Sequence, residues 1–587
     1  MARTERRSSP RRPGAVRRDA LHIGIAALLL SGTVPFWPAP LGAQQDSTIR
    51  ALQYGDPRNG NLYVSFLDVT LRGGAEPRIF RAYQSLSPFC GMFGCGWASD
   101  YETFLEVEGD GSVVAHEFGG GATTVFRAPA ASTRAVDAMV EQITAAARRT
   151  GSVAADSVIA YQTMLRESAS IRSSEWRRFV KRGDLVPPAV PVGAQFRALT
   201  PYGVDDITRT ATGYQRAIAD GSRQWFDADG RLTALTDAAG HRIDITRTPT
   251  GRLESVRDDL GRTLRVSTDT GGRVLRVDAD SGRYAAYRYD QRGDLVWTRD
   301  TDGIVITHAY DNWHYLTRIG SADGTDVQIE YYPFSMNARV RRVTDESGRT
   351  AAYTYRWTRS DSLEYVVDIA VLGRPRAGAA IRDTISRRQH VYEERRTSGG
   401  ERWMYRIAET VDGQTESTVY DEECGMPLQL VRGADTTTRT LDGRCRVSTR
   451  VTAAGSDSLD YDATDRIAYF SHLPRGGGAR IEGRYRYDEA GRVTGITAGT
   501  AQVTVAYDTA GRVVRATADD GELTISRDER GRPITLRHSR FGGATIVYGG
   551  DGTPTVTPTE GTDIAVFRAY RSRLVLLGSP AGLSVDF

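Results

Sequence analysis

Lysine is almost missing from this chain of 587 residues: Lys181 is its sole example, and arginine carries the rest of the basic charge. Arginine's planar fork suits stacking on tyrosine and pairing with aspartate, so the bias favours fixed contacts over loosely solvated charge. An excess of one sign is missing as well. The 76 basic and 73 acidic residues leave +3, and they are scattered rather than grouped. That distribution speaks against a nucleic-acid partner and against a membrane-surface footprint. Cysteine is scarce, with four residues in two local pairs, Cys90 with Cys95 and Cys424 with Cys445. Neither pair has the two-residue spacing of a zinc knuckle, and the pairs stand far apart, so two structural bridges are expected and no metal. Long apolar runs are missing beyond the first forty or so residues. There, Leu21 to Leu30 continues through Val34, Phe36 and Trp37 but is broken by Pro35, Pro38 and Pro40, too short and interrupted for a membrane span. Arg3, Arg6, Arg7, Arg11, Arg12, Arg17 and Arg18 precede the run and Leu41-Gly42-Ala43 follows it, as in an export signal cleaved after Ala43. Arg17-Arg18 permits the twin-arginine route, although the residues after it suit the general secretory route better. An exported protein with no stable membrane span after cleavage is the expectation, and export makes both bridges permissible.

What the chain has in abundance is a glycine beat. Turn glycines fall at Gly230, Gly240, Gly251, Gly261, Gly272, Gly282, Gly293 and Gly303, in steps alternating between ten and eleven residues, and the beat returns at Gly491, Gly511 and Gly531. A fixed period of about twenty residues is the mark of an array of one supersecondary unit. The turns read Asp-x-x-Gly: Asp227 to Gly230, Asp290 to Gly293, Asp488 to Gly491, Asp508 to Gly511 and Asp528 to Gly531. The aspartate carboxylate caps such a turn, and the glycine accepts its left-handed backbone. Between turns, half of the strands alternate strictly, as at Ile243/Ile245 and Tyr287/Tyr289, while the other half space their apolar residues by three, as at Leu232/Leu235, Leu253/Val256, Val274/Val277 and Val493/Ile496. Spacing by three breaks the strand period and predicts a bulge in every second strand, which bends the sheet progressively. Tyrosine ends one strand and arginine begins the next, close enough for a ring–guanidinium contact. The fold class expected is mainly β: a long antiparallel repeat sheet curving into an open or partial shell.

The rest of the chain is read around that array. After the signal (1–43), residues 44–130 are short β runs with glycine turns, 131–186 a helical insertion with Val136, Met139, Val140 and Ile143 on one stripe and Trp176, Phe179 and Val180 on another, and 187–200 a stiff connector with Pro187, Pro188 and Pro191. Repeats fill 201–356 and 411–550. Between them, 357–410 loses its Asp-x-x-Gly turns and is degenerate repeat or an insertion, with Tyr365 to Leu372 strand-like; 551–587 is a C-terminal segment. Cys424 and Cys445 stand one repeat apart, Cys424 in the slot that glycine would take after Asp421 and Cys445 just after Gly443-Arg444, which brings them to neighbouring hairpin ends.

At this point the residues carry a family. Tyr289-Asp290-Gln291-Arg292-Gly293, Tyr487-Asp488-Glu489-Ala490-Gly491-Arg492 and Tyr507-Asp508-Thr509-Ala510-Gly511-Arg512 resemble the YD repeats of Rhs proteins, the family of bacterial wall-associated Rhs proteins, insecticidal toxin-complex shells and animal teneurins. Asn61 through Asp68, Arg81-Ala82-Tyr83 and Gly91-Met92-Phe93-Gly94-Cys95-Gly96-Trp97 resemble the uncharacterised domain that commonly precedes those repeats. The resemblance implies a hollow shell, which in many bacterial members encloses a C-terminal toxin behind a self-cleaving core segment with Asp-Pro-Gly signatures. After Tyr548 this sequence runs through Thr553-Pro554-Thr555-Val556-Thr557-Pro558 without that segment, which argues against self-cleavage and a built-in payload.

Chemistry is thinly marked. Asp227 with Asp229, and Asp278 with Asp280, echo calcium-loop openings but lack the later acidic ligand, and the turn explains them. His116-Glu117 lacks the second histidine of a zinc-protease helix; His308 and His314 have no nucleophile at a recognisable elbow. Arg182-Gly183-Asp184 and Arg292-Gly293-Asp294 are a helix end and a repeat turn. Trp225, Trp297, Trp313 and Trp357 are candidate sugar-stacking platforms, weighed against ordinary packing. The expectation is therefore a non-enzymatic exported scaffold or interaction protein without a cofactor, its partner an envelope glycan or another protein. The alternative is an incomplete toxin carrier whose payload or closing segment is encoded separately.

Overall fold

The computed structural model describes residues 54–562 except 72–74, 128–132, 201–202, 238–239, 280–281, 322–323, 325, 334–337, 359–362, 375–382, 398–401, 465, 490, 499–500, 510, 520, 530, 549–553 and 560. Residues 1–43, where an export signal is expected, and most of 551–587 lie outside the described residues. Thirty-three strands, from Gln195–Thr200 to Pro554–Pro558, make one antiparallel sheet in which each strand pairs with its neighbour in the chain. Among the described residues no register joins the last strand to the first, so the sheet is a curled ribbon with two edges. It curls far enough that the Arg512 guanidinium is felt at His241.

One turn shows why the ribbon forms. The Asp290 N–H donates to the Asp294 carbonyl at 3.0 Å and the Gly293 N–H to the Asp290 carbonyl at 3.1 Å. Asp290 Oδ1 accepts from the amides of Arg292 and Asp294, both at 2.9 Å. Gly293 sits at φ +88°, the left-handed region that other residues enter only at a cost. Later units add a guanidinium: the Nε atoms of Arg492 and Arg512 donate to Asp488 and Asp508 at 2.7 Å, and Arg532 donates to Asp528 at 2.8 Å.

The strand after every second turn is bulged. Tyr289 pairs with Leu295 while Arg288 pairs with Trp297, skipping Val296; Tyr507 pairs with Val513 while Ala506 pairs with Arg515, skipping Val514. The extra residue changes parity, so that Val274 and Val277, three apart, are both fully buried. A bulge also disturbs the ladder near its first residue, and a tyrosine hydroxyl serves that place. Tyr289 donates to the Val274 carbonyl, Tyr507 to Val493, both at 2.8 Å, and Tyr461 to Val447 at 2.9 Å. Where the sequence has arginine at the tyrosine position, the guanidinium takes over: Arg527 donates to the Val513 carbonyl at 3.2 Å. Where the following unit has its tyrosine, a turn arginine stacks on that ring rather than on the one that precedes its own turn, with Arg273 over Tyr289 at 5.1 Å and Arg532 over Tyr548 at 4.2 Å.

Residues 54–126 form two small three-stranded sheets and a hairpin, Cys90–Gly91 with Gly94–Cys95, closed by the Cys90–Cys95 disulfide. The first sheet contains Tyr63–Thr70, Arg78–Gln84 and Trp97–Ser99; the second contains Phe104–Val107, Val113–Glu117 and Ala122–Phe126. Three helices follow, α1 (Thr133–Arg149), α2 (Val158–Glu167) and α3 (Ala169–Lys181), packed on their own core of Met139, Val140, Ile143, Leu165, Trp176 and Phe179. The proline-rich connector gives way at Gln195, which opens the first strand of the large sheet.

The N-terminal sheets lie against the bulged ends of the ribbon. The Val274 N–H donates to the Met92 carbonyl at 2.8 Å, Leu316 to the Tyr83 hydroxyl at 2.9 Å, and Val340 to the Gly60 carbonyl at 2.8 Å. Each donor opens a bulged strand, so three units offer the same amide to one docked domain. At the centre, Arg81 is fully buried, pairs with Asp68 at 2.7 Å, donates to Thr298 at 3.2 Å, and lies against the rings of both Phe66 and Trp97. Tyr287 donates to the same Asp68 carboxylate at 2.9 Å.

Candidate ligand site at the long strands

The stretch without Asp-x-x-Gly turns continues the sheet, and the missing turns leave its strands long. Glu364–Leu372 has 9 residues, Thr384–Arg396 has 13 and Arg402–Val411 has 10, against 6 for Tyr284–Tyr289. Their inner faces alternate as half-buried strands should, with Val367, Ile369 and Val371 buried. At one rim these strands meet the Arg58-Asn59 loop of the N-terminal domain and the end of α2, where Glu167 pairs with Arg396 at 2.5 Å and with Arg402 at 4.0 Å.

A cavity of about 300 Å³ opens there, lined by the Arg58-Asn59 loop, Arg339, Trp357, Tyr365, Glu394 and Arg402. Its walls are fixed by hydrogen bonds that cross between domains. Tyr365 donates its hydroxyl to the Arg58 carbonyl at 2.7 Å, and Arg339 Nε donates to the Asn59 carbonyl at 3.2 Å. Gly60, at φ +77°, lets the loop approach, because a Cβ there would meet the Arg339 side chain at 2.5 Å. The Arg339 guanidinium lies 4.8 Å from the centre of the Trp357 ring, Tyr365 stacks on Tyr392 at 4.8 Å, and burial pushes the Tyr365 hydroxyl up to about 12, against the pull of Arg58. Trp357 keeps 44% of its surface exposed. Glu394 is 3.6 Å from Arg402, so that arginine is balanced within the site. Arg58 and Arg339 have no carboxylate partner among the described residues. The arrangement offers two unneutralised guanidinium forks and two aromatic walls, and no nucleophile–base pair.

The residues singled out in the sequence are placed elsewhere and serve the fold. Gly230, Gly293, Gly491, Gly511 and Gly531 all have positive φ in turns that begin at Asp227, Asp290, Asp488, Asp508 and Asp528. Both cysteine pairs are disulfides, as oxidising compartments allow. In the second pair the slots differ from the sequence reading. The Asp421 turn has one extra residue, with Gly425 at φ +61° donating to Asp421; it is Cys445, at φ +60°, that stands in the glycine slot of the Asp442 turn. Asp227 Oδ1 accepts turn amides, Asp229 pairs with Arg231 at 3.1 Å, and Asp278 pairs with Arg276 at 2.6 Å; Asp280 lies outside the described residues. His116 is buried against Phe104 and lies 3.0 Å from Glu106. His308 is buried edge-on against Phe66 and Trp97, where burial holds its pKa well below the usual imidazole value. His314, at φ +68°, takes a glycine slot and meets Asp294 at 2.6 Å. In the first Arg-Gly-Asp tripeptide, Arg182 pairs with Asp184 at 3.1 Å; in the second, Asp294 is buried. Arginines lie over Trp225, Trp297 and Trp357 alike, and Trp313 stands exposed in a turn. Of the four tryptophans only Trp357 reaches the cavity. Arg58, Arg339, Tyr365 and Arg402 escaped notice as site residues in the sequence; the loss of turn aspartates over 357–410 pointed at most to Tyr365 and Arg402, and nothing local marked Arg58 or Arg339.

A family model described as a domain of unknown function, DUF6531, matches residues 56–126, the domain docked on the bulges. No curated protein matches the chain. Among solved structures, the chain is similar to TcdB2-TccC3 without its hypervariable C-terminal region, at 11% identity over 92% of this chain and 29% of that one, with a TM-score of 0.42. It is similar to TcdB2-TccC3-TEV at 11% identity over 86% and 28%, with a TM-score of 0.42. It is also similar to the Photorhabdus luminescens Tc holotoxin pore at 12% identity over 85% and 33%, with a TM-score of 0.24. The chain thus spans about a third or less of the length of these structures.

Proposed function

We propose that this chain is an exported, non-enzymatic scaffold of the YD-repeat kind, whose curled sheet holds a docked N-terminal domain and presents a rim that captures an envelope component. The reading rests above all on how the motif residues are spent: aspartate on turn amides, arginine on aspartate and tyrosine, tyrosine on bulge carbonyls. Residues so committed are not free for turnover, and among the described residues no group of three or more His, Cys, Asp and Glu is placed to hold a metal. The two disulfides support the exported reading.

The experiment is limited proteolysis and particle imaging of the mature protein purified from an oxidising compartment, alongside a panel of hydrolase substrates. A protease-resistant curved particle without turnover is expected. Turnover abolished by one Asp, His or Ser substitution would overturn the non-enzymatic reading, and a particle isolated with a second protein inside it would favour a carrier.

A further inference from the structure

The cavity at the long strands has a composition unlike the rest of the repeat surface. Elsewhere turn arginines are matched to aspartates four residues earlier, as Arg446 is to Asp442 and Arg466 to Asp462, each at 2.8 Å from Nε. At this rim Arg58 and Arg339 face one space without such a match. A guanidinium recognises a carboxylate through two parallel hydrogen bonds, and two forks around one carboxylate leave a net positive charge that holds the anion. Arg339 lies over one face of Trp357 and Tyr392 over one face of Tyr365, and the remaining apolar surface of the two rings beside the forks suits a pyranose ring with its C–H face inward. Glu394 adds a hydrogen-bond acceptor for hydroxyl groups, and its charge repels a phosphate dianion more strongly than a carboxylate. The volume, about 300 Å³, is at the small end of ligand clefts and suits one or two sugar rings.

We propose that this cavity binds a carboxylate-bearing sugar, a uronic-acid unit of an acidic glycan, with Arg58 and Arg339 on the carboxylate and Trp357 and Tyr365 against the ring. The inference rests on the reading of the chain as a capturing scaffold and names the class of component captured.

The test is calorimetric titration of the full mature chain with short oligogalacturonate and oligoalginate, with neutral malto-oligosaccharide and inorganic phosphate as comparisons. At least one of the two uronates should bind, more weakly as salt rises. Binding should fall about tenfold or more in Arg58→Gln and in Trp357→Ala. Arg58 is exposed and its backbone carbonyl remains for Tyr365, so Arg58→Gln should melt like the parent; Arg58→Lys, which keeps charge but loses the fork, should recover only part of the affinity. Failure of both uronates to bind, equal binding of the neutral sugar, or equally effective competition by phosphate would each overturn the assignment. An intact protease-resistant particle that binds no uronate would remove the ligand and leave the scaffold standing. A chain that yields no such particle would strike the scaffold reading itself.

Discussion

From Leu232 to Val371 the sheet shares one continuous apolar core with the docked domain, in which Phe93 packs on Tyr287, Trp97 on His308 and Tyr83 on Tyr310. From Val447 to Tyr548 the same repeat gathers, among the described residues, two small clusters, one around Leu459 and Phe470 and the other from Val505 to Ile546. The unit is alike in both halves: the same turn bonds, the same bulge, the same tyrosine on the bulge carbonyl. What differs is cover. Among the described residues, hydrogen bonds from residues 54–126 reach the sheet no farther than Tyr365. The bulge amides at Val274, Leu316 and Val340 are read by that domain, whereas the equivalent strands at Val493 and Val513 are held by turn and stacking contacts. Two strengths of structure therefore come from one sequence pattern, with burial dominating the first half and charge-assisted turns the second.

The largest break in that contrast is expected from Arg81→Ala. It strips the cation from the buried Asp68 carboxylate and opens a gap against Phe66 and Trp97, so the first half should lose about 3–5 kcal/mol while the second is untouched. Denaturant unfolding followed by a probe in each half would read this; equal loss in both would mean that the halves unfold as one. Next comes the disulfide that pins the less covered half. Cys424–Cys445 closes a loop of 21 residues, and its removal should cost about 3 kcal/mol in the chain-entropy model, seen as a lower midpoint for the second half on reduction. Because Cys445 occupies a left-handed position, Cys445→Gly should be more stable than the reduced parent by about 1 kcal/mol, which thermal melts under reductant would check.

Much of this architecture was legible in the sequence because turn chemistry is local. Asp290 and Gly293 carry their own bonds within five residues, and the spacing of Val274 and Val277 records the bulge directly. Cys445 shows the limit of that locality, since one inserted residue after Asp421 shifts which cysteine takes the glycine slot. The cavity was not legible. Arg58 and Arg339 meet across 281 positions of sequence, and their significance lies in carboxylates that are not beside them. Nor did the sequence indicate that the domain matched at 56–126 would cover one half and leave the other.

A smaller effect compares single glycines. Gly293→Val and Gly531→Val both force a side chain into positive φ, at +88° and +76°, and each should cost about 1–2 kcal/mol. The first should also loosen the docked domain, because the Gly293 carbonyl lies 2.8 Å from where a Cβ on Gly94 would stand. Faster proteolysis at 54–126 in Gly293→Val alone would sharpen the contrast, and identical cleavage in both variants would blunt it. The smallest expected effect is of pH. His390 is buried beside Arg388, and burial first, then that charge, lowers its pKa to about 4. In the unfolded chain it titrates near 6.5, so between about 6.5 and 4 the unfolded state binds more protons and stability falls as pH falls. His390→Phe should remove this loss from the acid limb of a stability profile.

Residue-resolved hydrogen exchange on the oxidised mature protein tests the central contrast most directly. Amides of the strands between Leu232 and Leu372, including the bulge amides of Val274, Leu316 and Val340, should exchange slowest and together, while those between Val447 and Tyr548 should open first and in smaller units. Uniform protection from Leu232 to Tyr548, lost in a single cooperative step, would contradict the account.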